Sequence, residues 1–453
     1  MGDAQENNPS ELTAKSSRLS INAQILNRSH LSGCLLRDFG FEIFIGTIMP
    51  NNVIILGAGA SRAAGIPLMG GFMDQMWNLA KKGKHRDAKL NSDDQKLLSD
   101  ALSVRDELDE YHGRASLDVW NLEEVLSILS LNALAGRPAD KKKLELMTRA
   151  IARTIEITCD VRHSGALNIR TVNGEGVNPL YNQFWHTLFA WCRARNEEMP
   201  FIITFNYDLV LERSLLHALI GTAYGRHRRF PSKGIIIDYH TRVMRPIALG
   251  LKHAAFHVDA DYHRTEPGYI LEELDPVDPD SQLTKINIVK LHGSNNFSKK
   301  GRIDDEKKLA GPRLVEAAED PLIMPPVFNK ASQAIGAESW ASALDALRSC
   351  KNIIVCGYSL PVTDIYMQYF LKAALGPNQD LNKITVFDPC LFSPQNSSDG
   401  ESLRRRYGAN FSVPIQKRID YSPPGASNWP SGHGSMEHLV WLLNEQPDSL
   451  LFG

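Results

Sequence analysis

The chain has 453 residues, more than one hydrophobic core ordinarily serves, so a main domain with large insertions or two to three lobes is expected. Its 50 basic and 52 acidic residues nearly balance, which removes the global signature of a nucleic-acid or membrane-surface binder, and no direct nucleic-acid binding is expected. No uncharged apolar run approaches the roughly 20 residues that cross a bilayer. Six cysteines without a C-x-x-C pair read as reduced thiols, so a cytoplasmic location without membrane contact or disulfides is expected.

Residues 1–48 are rich in Asn, Ser and short polar runs and turn apolar only near Phe41 to Ile48, so they read as an N-terminal appendage or as the product of an upstream translational start. Glu6 stands where a myristoylation signal needs a hydroxyl residue, so no lipid anchor is expected.

Residues 49–392 read as the main domain. Five short runs rich in Val and Ile recur in it: Val53 to Leu56, Phe201 to Phe205, Ile286 to Leu291, Ile353 to Cys356 and Ile384 to Phe387. Such runs are expected of parallel strands buried on both faces. The fold class that follows is α/β, a Rossmann-like parallel sheet with helices on both faces plus a helical insertion lobe.

Each run ends abruptly in glycine or polar residues: Gly57-Ala58-Gly59, Asn206-Tyr207-Asp208, His292-Gly293-Ser294, Gly357-Tyr358-Ser359 and Asp388-Pro389. Open doubly wound sheets bind ligands outside the carboxyl ends of their strands, so these five segments are expected to converge on one crevice. Turn residues account for the glycines, but not for an Asn, a His and an Asp at three different ends.

Between the first two runs, residues 76–199 read as a helical insertion, with Leu122, Val125, Leu126, Ile128 and Leu129 on one face of a helix over Asp118 to Leu134. A second insertion, 223–284, reads as loop-rich despite a β-like Gly234 to Asp238. Residues 393–453 form a C-terminal tail with a last apolar helix, Met436 to Leu443, expected to pack on the body.

The segment Gly57-Ala58-Gly59-Ala60-Ser61 follows a strand and leads through Gly65-Ile66-Pro67 toward a helix from Phe72. Such a turn lets backbone approach a diphosphate and offers it amide donors. A dehydrogenase fingerprint would need a third glycine where Arg62 stands and an acid at the end of the next strand, whereas Asp74, near that spacing, falls in a helix.

The string from Gly57 to Pro67 resembles the sirtuin signature, in which a G-A-G-x-S run is followed by G-I-P. Thr204-Phe205-Asn206-Tyr207-Asp208 is similar to the family's T-x-N-x-D element, Lys290-Leu291-His292-Gly293-Ser294 to its histidine-glycine element, and Gly357-Tyr358-Ser359-Leu360 to its G-x-S-L cofactor turn. All four stand in family order, with variants like those of the bacterial sirtuin-like NAD hydrolases of antiphage defence, including the sirtuin subunit of HerA-associated systems. The resemblance covers the sheet, not the insertions or the first 48 residues.

That resemblance implies NAD as substrate, with Asn206 and His292 catalytic. It implies cofactor contacts from Gly57, Ala58, Gly59, Ala60, Ser61, Gly65, Pro67, Asp208, Gly293, Gly357, Tyr358, Ser359 and Asp388. Asp208 also suits a helix cap, and Asp364 suits a first-turn acid. Sirtuin deacylases hold a small domain by two C-x-x-C zinc pairs, which this chain lacks, so no metal is expected and water is favoured as acceptor.

The expected activity is hydrolysis of NAD to nicotinamide and ADP-ribose. The resemblance further implies NAD depletion on phage infection, gated by homo-oligomerisation or by a partner such as a HerA-like ATPase or a short Argonaute-type subunit. A non-catalytic NAD or ADP-ribose sensor, and a protein deacylase or ADP-ribosyltransferase, stand as alternatives.

Several signals are expected to be solvated surface: the set His253, His257, Asp259, Asp261 and His263, the runs Arg226 to Arg229 and Arg404 to Arg406, and the acids Glu123 and Glu124.

Overall fold

The computed structural model describes residues 50–112, 116–161, 179–224, 234–253, 269–274, 283–298, 314–324, 336–392, 397–423 and 434–451. Every element below belongs to the unit 47–453. The expected appendage 1–48 lies outside the described residues, as do Arg226 to Arg229, His257, Asp259, Asp261 and His263.

The first strand, β1 (Asn52–Leu56), is buried along its whole length. Its side chains alternate between two cores, Ile54 and Leu56 facing one, Val53 and Ile55 the other. Each such buried Ile or Val contributes about 1.5–3 kcal/mol, so every position of a strand covered on both faces selects an apolar residue.

A 3-10 helix (Ala58–Ala64) follows at once, then α1 (Phe72–Lys82), the hairpin β2 (Lys84–His85) and β3 (Ala88–Lys89), and the helices α2 (Ser92–His112), α3 (Leu122–Leu134), α4 (Pro138–Thr158) and α5 (Pro179–Arg195). Asn121 caps α3 by accepting from the Glu123 amide, so the helix starts later than the apolar spacing alone predicts. Met76, Leu98, Val125, Ile151 and Trp185 from this stretch share one core with Ile54 and Leu56. The helical stretch thus covers one face of the sheet.

The chain returns through β4 (Phe201–Thr204), α6 (Val210–Tyr224), β5 (Ile235–Asp238), β6 (Ile247–His253), β7 (Tyr269–Glu273), β8 (Thr284–Lys290), β9 (Gly293–Ser298) and β10 (Pro321–Ile323). Then come α7 (Ala337–Ser349), β11 (Asn352–Cys356), α8 (Ile365–Leu375), β12 (Lys383–Phe387), α9 (Ser397–Asn410), α10 (Val413–Gln416), β13 (Ile419–Asp420), α11 (Ser435–Glu445) and α12 (Pro447–Leu451). Ala343, Leu347, Leu371 and Leu403 from α7, α8 and α9 meet Val53 and Ile55 on the opposite face.

Among the described residues the main sheet runs β13-β12-β11-β1-β4-β8-β5-β6-β7. The five strands read from the sequence are its centre, β12-β11-β1-β4-β8, and all pair in parallel. The chain proceeds from β1 to β4 and β8 on one side, then to β11 and β12 on the other. The strand order therefore reverses between β1 and β11, as in doubly wound nucleotide-binding folds. The protein is α/β and Rossmann-like.

The segment 223–284, expected to be loop-rich, contributes three strands in its described part. β5 pairs in parallel with β8, while β6 and β7 extend the edge antiparallel. Ile235 and Ile237 are buried while Ile236 and Asp238 are only partly so. Only two of the four β5 positions are buried, whereas every position of β1 and β4 is.

In the tail, β13 adds in parallel to β12, and α11 packs against α5 and the 3-10 helix after β1. Among the described residues, no helix is long and apolar enough to cross a membrane.

Candidate functional site

Strand register brings the polar ends together. Leu56 pairs with Thr204 and with Cys356, Thr204 with Lys290, and Cys356 with Phe387, so the five strands finish in one row across the sheet. Asn206 and His292 each lie two residues beyond paired positions on adjacent strands, which stand about 4.8 Å apart. Their neighbours interlock accordingly. The Leu291 amide donates to the Thr204 carbonyl at 3.0 Å and the Asn295 amide to the Tyr207 carbonyl at 2.8 Å.

Asn206 is oriented by the turn after β1. Its Nδ2 donates to the Gly57 carbonyl at 2.9 Å and to Ser61 Oγ at 2.8 Å, while its own amide donates to Thr204 Oγ1 at 3.1 Å. A backbone carbonyl only accepts, so the –NH2 side must face the turn. Among the described residues Oδ1 has no hydrogen bond, which leaves an open acceptor on Asn206.

His292 is 7% exposed. Its ring packs beside Phe205 at 5.3 Å, Tyr207 at 6.5 Å and Trp340 at 6.4 Å between centroids. Its carbonyl accepts from the Met324 amide at 2.7 Å, and the Tyr207 hydroxyl donates to the Met324 carbonyl. Gly293, with φ of 85°, turns the chain immediately after it.

The glycines at the strand-order reversal are needed for protein packing. A Cβ on Gly57 would stand 2.5 Å from the Gly357 carbonyl oxygen, and one on Gly59 would stand 2.8 Å from Gly357 Cα. Gly357 has φ of 66°, and a Cβ there would meet the Ala60 amide nitrogen at 2.3 Å. The two turns are also bonded to each other: Gly59 N donates to Gly357 O, Gly57 N to Cys356 O, and Ala60 N to Gly57 O, each at 3.0 Å. The sequence predicted a turn whose amides face a diphosphate, whereas these three amides donate to the protein itself. The solvent-facing parts of the turn are Ala58 and Arg62, both exposed.

Ala60 and Ser61 lie inside the 3-10 helix, where the Tyr181 hydroxyl donates to the Ala60 carbonyl at 2.7 Å. Gly65 closes that helix in the left-handed conformation, with φ of 83°, and a Cβ there would meet the Thr158 carbonyl oxygen at 2.7 Å. Pro67 is half-buried in the loop that follows. Asn206, Ser61, Thr204 and Lys290 help line a cavity of about 10 Å³, room for about one water molecule. This cavity is too small for a dinucleotide.

Asp208 is 6% exposed and accepts from the Val210 amide at 3.1 Å, capping α6. The resemblance implied a cofactor contact, but a carboxylate enclosed at a helix start serves the backbone donors there. Tyr358 is likewise a wall: its ring lies 4.5 Å from Phe205, and its hydroxyl donates to Asp364 Oδ2 at 2.9 Å. Ser359 is half-buried, and its carbonyl accepts from Arg406 Nε at 2.9 Å. The next residue, Leu360, is fully buried with φ of 48°, a conformation that costs a non-glycine residue about 1–3 kcal/mol. Asp388, half-buried at the end of β12, accepts from the Cys390 amide at 3.1 Å. Burial, reinforced by Asp388, pushes the neighbouring Cys390 thiol up to about 12.

The acids expected at the surface differ from each other. Glu124 takes the Asp118 amide and the Asn121 side chain, completing the cap of α3. Glu123 instead accepts from Thr363 Oγ1 at 3.4 Å, across from the start of α8. Asp364 caps α8 through the Met367 amide, as its position predicted, and also takes the Tyr358 hydroxyl. Burial first, then Asp364 and Glu123, hold the Tyr207 and Tyr358 phenols above their usual range, so both stay neutral donors near pH 7.

No protein-family model matches the chain, and no curated protein matches it. Among solved structures, the chain is similar to a histidine-to-asparagine mutant of a Sir2 homologue in complex with ADP-ribose. That likeness covers 87% of this chain and 92% of the other, at 13% identity and a TM-score of 0.26. The fold class rests instead on strand order and register.

Among the described residues, no group of three or more His, Cys, Asp or Glu is placed to hold a metal. Two roles were not read from the sequence: Trp340 packs on His292, and Lys290, quoted only within the histidine-glycine element, forms a buried ion pair with Glu212. A lysine closing an otherwise apolar strand was the available signal for that pair. For Trp340 no local signal existed.

Proposed function

We propose that the protein is an NAD glycohydrolase, cleaving NAD to nicotinamide and ADP-ribose. The observation that carries this reading is the Asn206 amide, fixed by both hydrogens to the turn after β1 and matched in register with His292. The chemistry asks for little more. Water adds to the ribose C1′ as the bond to nicotinamide breaks, the bonding pair returns to the cationic ring, and nicotinamide leaves neutral, so no acid is needed at the leaving group. Asn206 Oδ1 accepts a hydrogen bond from the attacking water or a ribose hydroxyl, and the His292 imidazole takes the proton that water releases.

The carboxylates of Glu123 and Asp364 support this reading, because they place negative charge near the phenols of that edge, where a pyridinium and a cationic ribose are favoured. The absence of C-x-x-C pairs in the chain favours water over a protein lysine as acceptor. Ala58, Arg62, Ser359 and Asp388 are the residues we assign to the diphosphate and adenosine ends, on the strength of their exposed or half-exposed places along the edge. Enclosure of His292 by Phe205, Tyr207 and Trp340 supports gating: the proton acceptor works only when that wall moves. Within this reading the trigger is homo-oligomerisation or an ATPase-type or short Argonaute-type partner, and the role is NAD depletion in an infected, cytoplasmic setting.

The test is nicotinamide release from NAD by the full-length protein, alone and with its partner. Asn206→Ala and His292→Ala should each slow release by about a hundredfold or more. Undiminished release by both variants removes the catalytic assignment. Tight NAD binding without turnover in every assembly state would instead identify a sensor, and label transferred to protein would identify a transferase.

A further inference from the structure

Lys290 and Glu212 form an ion pair with side chains 1% and 0% exposed, Nζ to Oε1 at 2.8 Å. The ammonium also donates to the Asp208 carbonyl at 2.5 Å. The Tyr239 hydroxyl donates to the same carboxylate oxygen at 3.1 Å, while Glu212 Oε2 is buried with no hydrogen bond among the described residues. Replacing such a pair by apolar side chains of similar size is often neutral or stabilising, so stability alone does not account for charge here.

Its position does. Lys290 lies two residues before His292, and the carbonyl it grips lies two residues after Asn206. We infer that Lys290 is a positioning residue that clamps the loop carrying Asn206 to the strand end carrying His292, with Glu212 and Tyr239 holding the ammonium on its target. The other ties between these segments include the backbone bonds from Leu291 to Thr204 and from Asn295 to Tyr207, the Ser294 hydroxyl bond to the Tyr207 carbonyl at 3.5 Å, and the packing of His292 on Phe205 and Tyr207, and these reach no further than Tyr207. The clamp extends the junction to Asp208, where α6 begins. The kinetic arm of this inference rests on the proposed function, while its structural arm does not.

Two variants separate positioning from stability. Glu212→Leu/Lys290→Met removes both charges and keeps apolar bulk, so the clamp is lost while the core stays filled. Glu212→Gln keeps an oxygen for Lys290 and therefore the clamp, but leaves a buried ammonium without its counter-charge. The expected result is a crossing. The double variant melts at or above the wild-type temperature yet loses about ten- to a hundredfold in kcat, in line with misplacement of reacting groups by about 1 Å. Glu212→Gln melts lower yet loses less than about threefold in kcat, since its hydrogen-bond geometry is kept. Activity that instead follows stability, with the double variant fast and Glu212→Gln slow, overturns the clamp.

Amide exchange supplies the arm that needs no catalysis. In the double variant, residues 205–208 and 291–296 should exchange faster while the rest of the sheet keeps its protection. Wild-type exchange there overturns the clamp even if the protein proves to release no nicotinamide, and that lack of release would count against the proposed function alone.

Discussion

Ser61 Oγ accepts the side-chain amide of Asn206 at 2.8 Å, joining two strand-end turns that lie 145 positions apart in the chain. With the bond to Gly57 O, this contact occupies both side-chain amide hydrogens of Asn206 and leaves its oxygen as the open acceptor among the described residues. Ser61 is 4% exposed, so its hydroxyl orients Asn206 without meeting bulk solvent.

Ser61→Ala therefore weakens orientation while leaving the ligand surface intact. One lost hydrogen bond of about 1 kcal/mol corresponds to a roughly five- to tenfold fall in kcat, with a smaller change in KM. Steady-state nicotinamide release checks this, and an unchanged kcat would show that Gly57 alone orients the amide.

Gly357→Ala tests the contact at the strand-order reversal. The added Cβ meets the Ala60 amide nitrogen at 2.3 Å in a backbone with φ of 66°, so a loss of about 1–3 kcal/mol is expected from denaturant unfolding. Gly70→Ala is the control, since a Cβ at that position has nothing within 4 Å. Its stability should stay within about 0.5 kcal/mol of wild type.

Asp208 distinguishes a helix cap from a ligand contact. Asp208→Ala should cost about 1 kcal/mol of stability through the lost bond to the Val210 amide, and Asp208→Asn much less, because the amide oxygen still caps. In both variants the Kd for NAD should move by less than about threefold, which is about 0.6 kcal/mol. A tenfold weakening in both, measured by calorimetry, would restore a ligand role.

His240 ties stability to pH. Its Nε2 lies 2.9 Å from Asn287 Oδ1, and burial, outweighing the nearby Asp238 carboxylate, holds the imidazole below its usual pKa. Between the folded value and the unfolded value of about 6.5, the unfolded chain carries a proton that the folded one does not. Stability from this site is therefore complete above that window and is lost as pH falls through it. Denaturation midpoints of the wild type should drop from about pH 7.5 to 5.5, and His240→Gln should flatten that slope.

Much of the architecture was legible because its signals are local. A strand covered on both faces must be apolar throughout, so Val53 to Leu56 and Ile353 to Cys356 marked themselves, and β1 and β11 do lie side by side. The outer strands β6 and β7 were harder to see, because Lys252, Glu272 and Glu273 interrupt their apolar residues in the sequence, whereas β5 had shown itself as the β-like Gly234 to Asp238. The α3 start shows the same limit: Asp118 and Asn121 both suit a cap, and the structure uses Asn121 for the helix and Asp118 for the preceding turn.

At the candidate site, residue types were readable and roles were not. The amino-acid order by itself determined that five buried strands would end in Gly57, Asn206, His292, Gly357 and Asp388, since hydrophobic burial sets where a central strand stops. Only the tertiary structure decided that Gly57, Gly59 and Gly357 are glycines for one another, that Asp208 serves a helix, and that Lys290 reaches the Asp208 carbonyl. The glycine contacts and the Lys290 bond join positions far apart in the chain and exist only once strand register has been set, whereas the Asp208 cap is a local bond to the Val210 amide.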